Sequence, residues 1–138
     1  YSLSLHDALP ILGLQDAVRF LGFREDVPDL LSAADILVVA STSEGCPIVI
    51  LEAMAASCPV VCTRVGGSPE LIADGVTGYV VEPRWPDEIA RAVRSLADHP
   101  AERKAMGNRA RELAYERFTI ERMVRDYEKV YEGLVSGQ

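Results

Sequence analysis

The chain has 138 residues, enough for one hydrophobic core and too few for two. Hydrophobic residues make up 49% and charged residues 25%, the proportions of an ordinary globular domain. A formal charge of −7 with dispersed Lys and Arg argues against a nucleic-acid partner, and no apolar run approaches the ~20 residues of a membrane span.

Tyr1–Ile11 reads YSLSLHDALPI, which resembles no helix, strand or targeting peptide. Ser4–Ile11 is what TCC CTA CAC GAC GCT CTT CCG ATC encodes, a string that looks like a common sequencing adaptor. The segment is therefore set aside as non-native, and residues 12–138 are expected to carry the domain. Val18-Arg-Phe-Leu-Gly22 reads as a short strand and glycine turn. Pro28–Ala34 is apolar at helical spacing, and Ile36–Ala40 is a continuous apolar run that suits a strand covered on both faces. After the loop Ser41–Pro47, Ile48–Ser57 predicts a compact helix with Pro47 at its first position. Pro59–Thr63 is a second buried strand. Gly66-Gly67 reads as a structural turn rather than a second phosphate loop, into a helix Ser68–Ala73 capped by Ser68. Asp74-Gly75 and Gly78 bracket a turn into strand Tyr79–Val81.

The rest is helical. Pro86–Ala97 carries a stripe through Ile89, Val93 and Leu96, Pro100 opens a helix to about Arg117, and Thr119 caps a third. His99 sits at a helix junction and reads as structural. Cys46, Cys58 and Cys62 are odd in number and lack metal-site spacing, as expected of reduced thiols in a cytoplasmic protein. Strands alternating with helices imply an α/β fold with a parallel, doubly wound sheet, incomplete here, and a helical C-terminal end.

In such sheets ligands lie outside the carboxyl ends of the strands. The loop after Ala40 enters a helix whose first N–H groups, on Ile48 and Val49, favour a phosphate together with the helix dipole. Gly45 allows close approach, and the carboxylates of Glu44 and Glu52 suit sugar hydroxyls, which donate charge-assisted hydrogen bonds to them.

Glu44-Gly-Cys-Pro-Ile-Val-Ile-Leu-Glu52 resembles the E-x7-E signature of retaining GT-B glycosyltransferases of the group 1, or family 4, type. Val18–Gly22, Ser32–Asp35, Pro59–Val61, Val65–Glu70, Asp74–Gly78 and Glu116–Phe118 are similar to that family in the same order. The resemblance implies that Glu44 contacts donor-sugar hydroxyls at the reacting face, as the catalytic candidate. Gly45, Cys46 and Pro47 would line the sugar pocket, Ile48 and Val49 would hold the diphosphate, and Glu52 would bind the ribose diol. The base would pass near Phe23 and Arg24.

It further implies transfer with retention of configuration, no bound metal, no cofactor, and a nucleotide-sugar donor as substrate. The family's Arg and Lys for the diphosphate, its first two strands and its N-terminal acceptor domain have no counterpart here. A truncated domain, inactive alone, is therefore expected, with a carbohydrate, lipid or small-molecule acceptor bound elsewhere. The longer protein is placed in the cytoplasm or at the inner membrane face. A non-catalytic binding or scaffold relative is the alternative; an epimerase or phosphorylase would need a catalytic histidine or lysine loop, or a cofactor lysine.

Two structural expectations follow from the resemblance. The stripe Ile120, Met123, Val124, Tyr127, Val130, Tyr131 and Leu134 should face a partner outside this sequence. Val18–Leu21 and Ile36–Ala40, the third and fourth strands of the order 3-2-1-4-5-6, should close together in place of the missing two.

Overall fold

A computed structural model describes residues 5–136. In chain order the elements are α1 (Leu5–Ile11), α2 (Val27–Ala33), β1 (Leu37–Val39), α3 (Ile48–Ala55), β2 (Val60–Thr63), α4 (Ser68–Leu71), β3 (Gly78–Val81), α5 (Pro86–Asp98), α6 (Pro100–Arg117) and α7 (Ile120–Ser136). The strands form one parallel sheet in the order β1-β2-β3. Val60 is in register with Leu37 on one side and Gly78 on the other, and Cys62 with Val39 and Val80.

β2 is buried along its whole length, so its two faces need separate apolar covers. Val60 and Cys62 pack with Ile50, Ala53 and Met54 of α3, Leu31 of α2, and Ala110 and Ala114 of α6. Val61 faces the opposite way, toward Leu96 of α5 and Met106 of α6. This is the doubly wound arrangement that the alternation of strands and helices predicts. Full burial of a side chain such as Ile50 or Met54 contributes roughly 1.5–3 kcal/mol. An exposed ion pair such as Arg64–Glu82 contributes at most ~1 kcal/mol, so the apolar layers hold the fold. Burial also pushes the Cys62 thiol up to about 11, with Asp74 adding a smaller push, and raises Cys58 as well. Both remain neutral packing groups with no disulfide.

The structure corrects several expectations. Leu5–Ile11 is helical, and a Schellman pattern closes the helix: the Leu14 N–H donates to the Leu9 carbonyl and the Gly13 N–H to that of Pro10. Residues 1–4 of that stretch lie outside the described ones. Val18–Leu21 is not a strand; a local turn onto the Leu14 carbonyl takes the N–H groups of Ala17 and Val18 where the segment begins. It does not close onto β1, which is therefore the sheet's edge; Val38 is 41% exposed while Ile36 packs on the Val61 layer, so the second face of this run is only partly covered. Finally, Ser68 is the first helical residue of α4 rather than its cap; Gly67 takes the cap position and no side chain caps it. Pro47 likewise occupies the N-cap of α3 instead of its first turn.

Other expectations hold. The Thr119 hydroxyl accepts a hydrogen bond from the Arg122 N–H at 3.3 Å, starting α7. His99 spans the α5–α6 junction with Nδ1 2.8 Å from the Ser95 carbonyl oxygen. α7 buries none of its residues, and the seven named stripe residues are 44% to 72% exposed. None of the described helices is long and apolar enough to cross a membrane.

One backbone junction fixes how closely α6 approaches the sheet. α3 ends in a second Schellman pattern, Cys58 N–H to Ala53 carbonyl and Ser57 N–H to Met54 carbonyl, with Ser57 at φ 59°. Gly107 of α6 lies against it so tightly that an added Cβ would sit 2.0 Å from the Ser57 carbonyl oxygen. Left-handed backbone costs an L-residue about 1–2 kcal/mol, partly offset by the chain entropy that a glycine loses. Urea unfolding should therefore show Ser57→Gly stabilising the chain by ~0.5–1 kcal/mol. Gly107→Ala, which drives α6 off the turn, should destabilise it by about 1–3 kcal/mol. Equal melts for the two variants would refute this account of the junction.

Candidate functional site

Because all three strands are parallel, the segments after β1, β2 and β3 emerge at one edge of the sheet. The loop from β1 carries Ser41–Pro47 into α3, and the turn from β2 carries Arg64–Gly67 into α4. These two connections touch through their backbones. The Gly67 N–H donates to the Gly45 carbonyl at 2.6 Å. Gly66, at φ +50°, lies so close that a Cβ there would fall 1.9 Å from the Glu44 carbonyl oxygen. Only glycine permits both the conformation and the approach. Gly66-Gly67 forms a turn, as the sequence suggests, and what it packs on is the candidate loop itself.

Within that loop, Glu44 and Cys46 are exposed, Gly45 is open to solvent, and Pro47 is buried at the start of α3. The Ser41 hydroxyl donates to Glu44 Oε1 at 2.7 Å. Ser41 is in turn held by Thr63, the last residue of β2, whose hydroxyl donates to the Ser41 carbonyl at 2.5 Å with the Val39 carbonyl at 3.3 Å. At the helix start, Ile48 and Val49 have no carbonyl four residues back inside α3, so their N–H groups point out of the helix end unpaired by it. Glu52 follows Ile48 by one helical turn and shares its exposed face. The opposite face, Ile50, Ala53 and Met54, is fully buried and anchors the helix. Two N–H groups unpaired by the helix and an exposed carboxylate are thus presented on one element.

Phe23 and Arg24 are not joined to this group. Phe23 is 91% exposed, and no hydrogen bond or ion pair among the described residues links it or Arg24 to the loop. Arg24 Nε donates instead to Asp26 Oδ1 at 2.7 Å, and the guanidinium holds the Asp26 carboxyl below the usual carboxylate range. Ser41, Thr63 and the contact made by Gly66 were missed by motif reasoning. The one available signal was Thr63, a hydroxyl ending an otherwise apolar strand, which needs a partner once buried. Among the described residues, no three His, Cys, Asp or Glu side chains cluster as a metal site.

A profile of the family described as "Glycosyl transferases group 1" matches residues 4–113. The chain belongs to the group 1 glycosyltransferases. It is similar to N-acetyl-alpha-D-glucosaminyl L-malate synthase of Bacillus anthracis, 42% identical over 121 residues, 87% of this chain and 32% of that protein. Among solved structures it is similar to Anabaena HepE in complex with UDP, with TM-score 0.85, 34% identity, and coverage of 96% of this chain and 36% of that one. The Anabaena protein has also been solved with UDP-glucose. It is similar too to the C-terminal domain of a group 1 glycosyl transferase from Francisella tularensis, with TM-score 0.75 and 31% identity over 84% of this chain and 61% of that one. The fold is the Rossmann-like fold of GT-B glycosyltransferases, and the chain spans 32%, 28% and 22% of the length of three of the curated relatives it matches.

The Gly66 contact yields a test with an internal control. Gly75 also has positive φ, +73°, but an added Cβ there meets nothing within 4 Å. Gly75→Ala should cost only the ~1–2 kcal/mol of left-handed backbone. Gly66→Ala should cost a further ~1–3 kcal/mol through overpacking and displace the Glu44–Gly45 loop, visible as amide shift changes confined to residues 41–48. Equal penalties for the two would show that Gly66 does not pin the loop.

Proposed function

We propose that this chain is the nucleotide-sugar-binding part of a glycosyltransferase that moves a hexose-like sugar with retention of anomeric configuration. The observation that carries this reading is the start of α3. The Ile48 and Val49 N–H groups meet the diphosphate there, with Glu52 one turn on to accept hydrogen bonds from the ribose diol and Glu44 just ahead to accept from the sugar. The resemblance of the chain to a protein solved with UDP and with UDP-glucose supports it. Gly45, Cys46 and Pro47 line the sugar pocket, with Pro47 offering no N–H. The base passes toward Phe23 and Arg24, an assignment that needs Arg24 to leave Asp26.

In the transition state the bond from the anomeric carbon to the leaving phosphate lengthens and positive charge develops at the ring. Glu44, an anion beside that centre, stabilises it, while the helix N-terminus stabilises negative charge gathering on the leaving diphosphate. The departing phosphate oxygen takes the acceptor's proton. The reading uses no resident metal or cofactor. Acceptor binding belongs to the part of the longer protein that this chain does not span, and that part covers the exposed apolar face of α7. Transfer is therefore assigned to the longer enzyme, and donor binding to this chain.

Calorimetry with UDP tests the donor site. Glu52→Ala should weaken binding by ~2–4 kcal/mol, roughly 30- to 1,000-fold, because charge-assisted hydrogen bonds to a diol are lost. An unchanged dissociation constant would remove Glu52 from the site. In the longer enzyme, Glu44→Gln should lower kcat at saturating donor by at least about tenfold with little change in donor affinity, since its charge acts mainly on the transition state. Full turnover with only a raised KM would reduce Glu44 to a ground-state contact.

A further inference from the structure

A glutamate in an exposed loop ordinarily samples several side-chain orientations, and ordering one costs conformational entropy. Glu44 is held instead. Its Oε1 accepts the Ser41 hydroxyl at 2.7 Å, and Ser41 is anchored from behind by Thr63, 1% exposed at the end of the buried central strand. A short chain of hydrogen bonds therefore runs from the most enclosed strand of the molecule to its exposed carboxylate. Ser41 itself is only partly buried and belongs to neither core cluster. Loss of its hydroxyl removes no core packing.

We propose that Ser41 is a positioning residue for the sugar-contacting carboxylate of Glu44. With Oε1 taken by the Ser41 hydroxyl, Oε2 has no protein partner among the described residues and is left to accept from the hydroxyls of the donor sugar. The nucleotide contacts assigned to Ile48, Val49 and Glu52 lie on α3, so Ser41 acts on recognition of the sugar and not of the nucleotide. The inference rests on the role given to Glu44 above.

The test uses Ser41→Ala, Ser41→Thr, Glu44→Ala and the double variant Ser41→Ala/Glu44→Ala in the full 138-residue chain. NMR of the Glu44 side chain reports order directly. Its two γ-proton shifts should be well separated in the parent chain, merge in Ser41→Ala, and separate again in Ser41→Thr, which keeps the hydroxyl. Calorimetry with UDP and with UDP-glucose reports the consequence. Ser41→Ala should leave UDP affinity unchanged within about twofold while the preference for UDP-glucose over UDP falls about fivefold, the scale of one hydrogen bond. The same substitution should have no further effect on top of Glu44→Ala.

Intact γ-proton separation in Ser41→Ala overturns the proposal, as does a Ser41→Ala effect that persists undiminished beside Glu44→Ala. If Glu44→Ala alone binds UDP-glucose as the parent does, the role of Glu44 fails and the proposal falls with it. The two failures are distinguished by the NMR signature, which does not depend on any sugar contact.

Discussion

Burial of β2 on both faces is the constraint from which the rest of the molecule follows. A strand with Val60 and Cys62 on one side and Val61 on the other cannot sit at a surface, so α3 and α2 must cover one face and α5 the other, with α6 reaching both layers. That enclosure fixes the carboxyl end of β2, from which the next turn leaves. Thr63, a polar residue carried into the core, must find an acceptor there, and the acceptor it finds is the backbone of the neighbouring β1 loop.

The candidate site gains its geometry from this arrangement more than from its own residues. The Glu44 loop is gripped on one side by the Thr63 hydroxyl through Ser41, and on the other by Gly66 and the Gly67 N–H. Both grips come from the end of the same strand and the turn that follows it. α3 receives its rigidity separately, from the apolar face that Ile50, Ala53 and Met54 press into the core. A donor that spans sugar and nucleotide would therefore bridge two elements fixed independently by one strand.

The surface carries the opposite character. β1 leaves one face partly open at Val38, and α7 stands with its apolar stripe in solvent. Neither feature is compatible with the economy of the core, where buried side chains contribute kilocalories each and surface ion pairs contribute little. Both leave apolar side chains exposed among the described residues.

Periodicity and turn chemistry were enough to read the parallel α/β fold, the helices from Pro86 onward, and the loop-to-helix junction at Pro47, because each depends on local spacing. The ordered series of short phrases around Glu44 and Glu52 was enough to identify the family. What local pattern could not decide were pairings. Val18–Leu21 has the composition of a strand, yet a strand exists only where another strand supplies hydrogen bonds, and here the Leu14 carbonyl takes the Val18 N–H where the segment begins. Leu5–Ile11 lacks an obvious helical signal, yet the Schellman bonds through Gly13 close it as a helix. Ser41, Thr63 and Gly66 lie up to 25 residues apart and meet only because two parallel strands end at the same edge. Their convergence on Glu44 is a property of strand order and register, which tertiary packing alone determines.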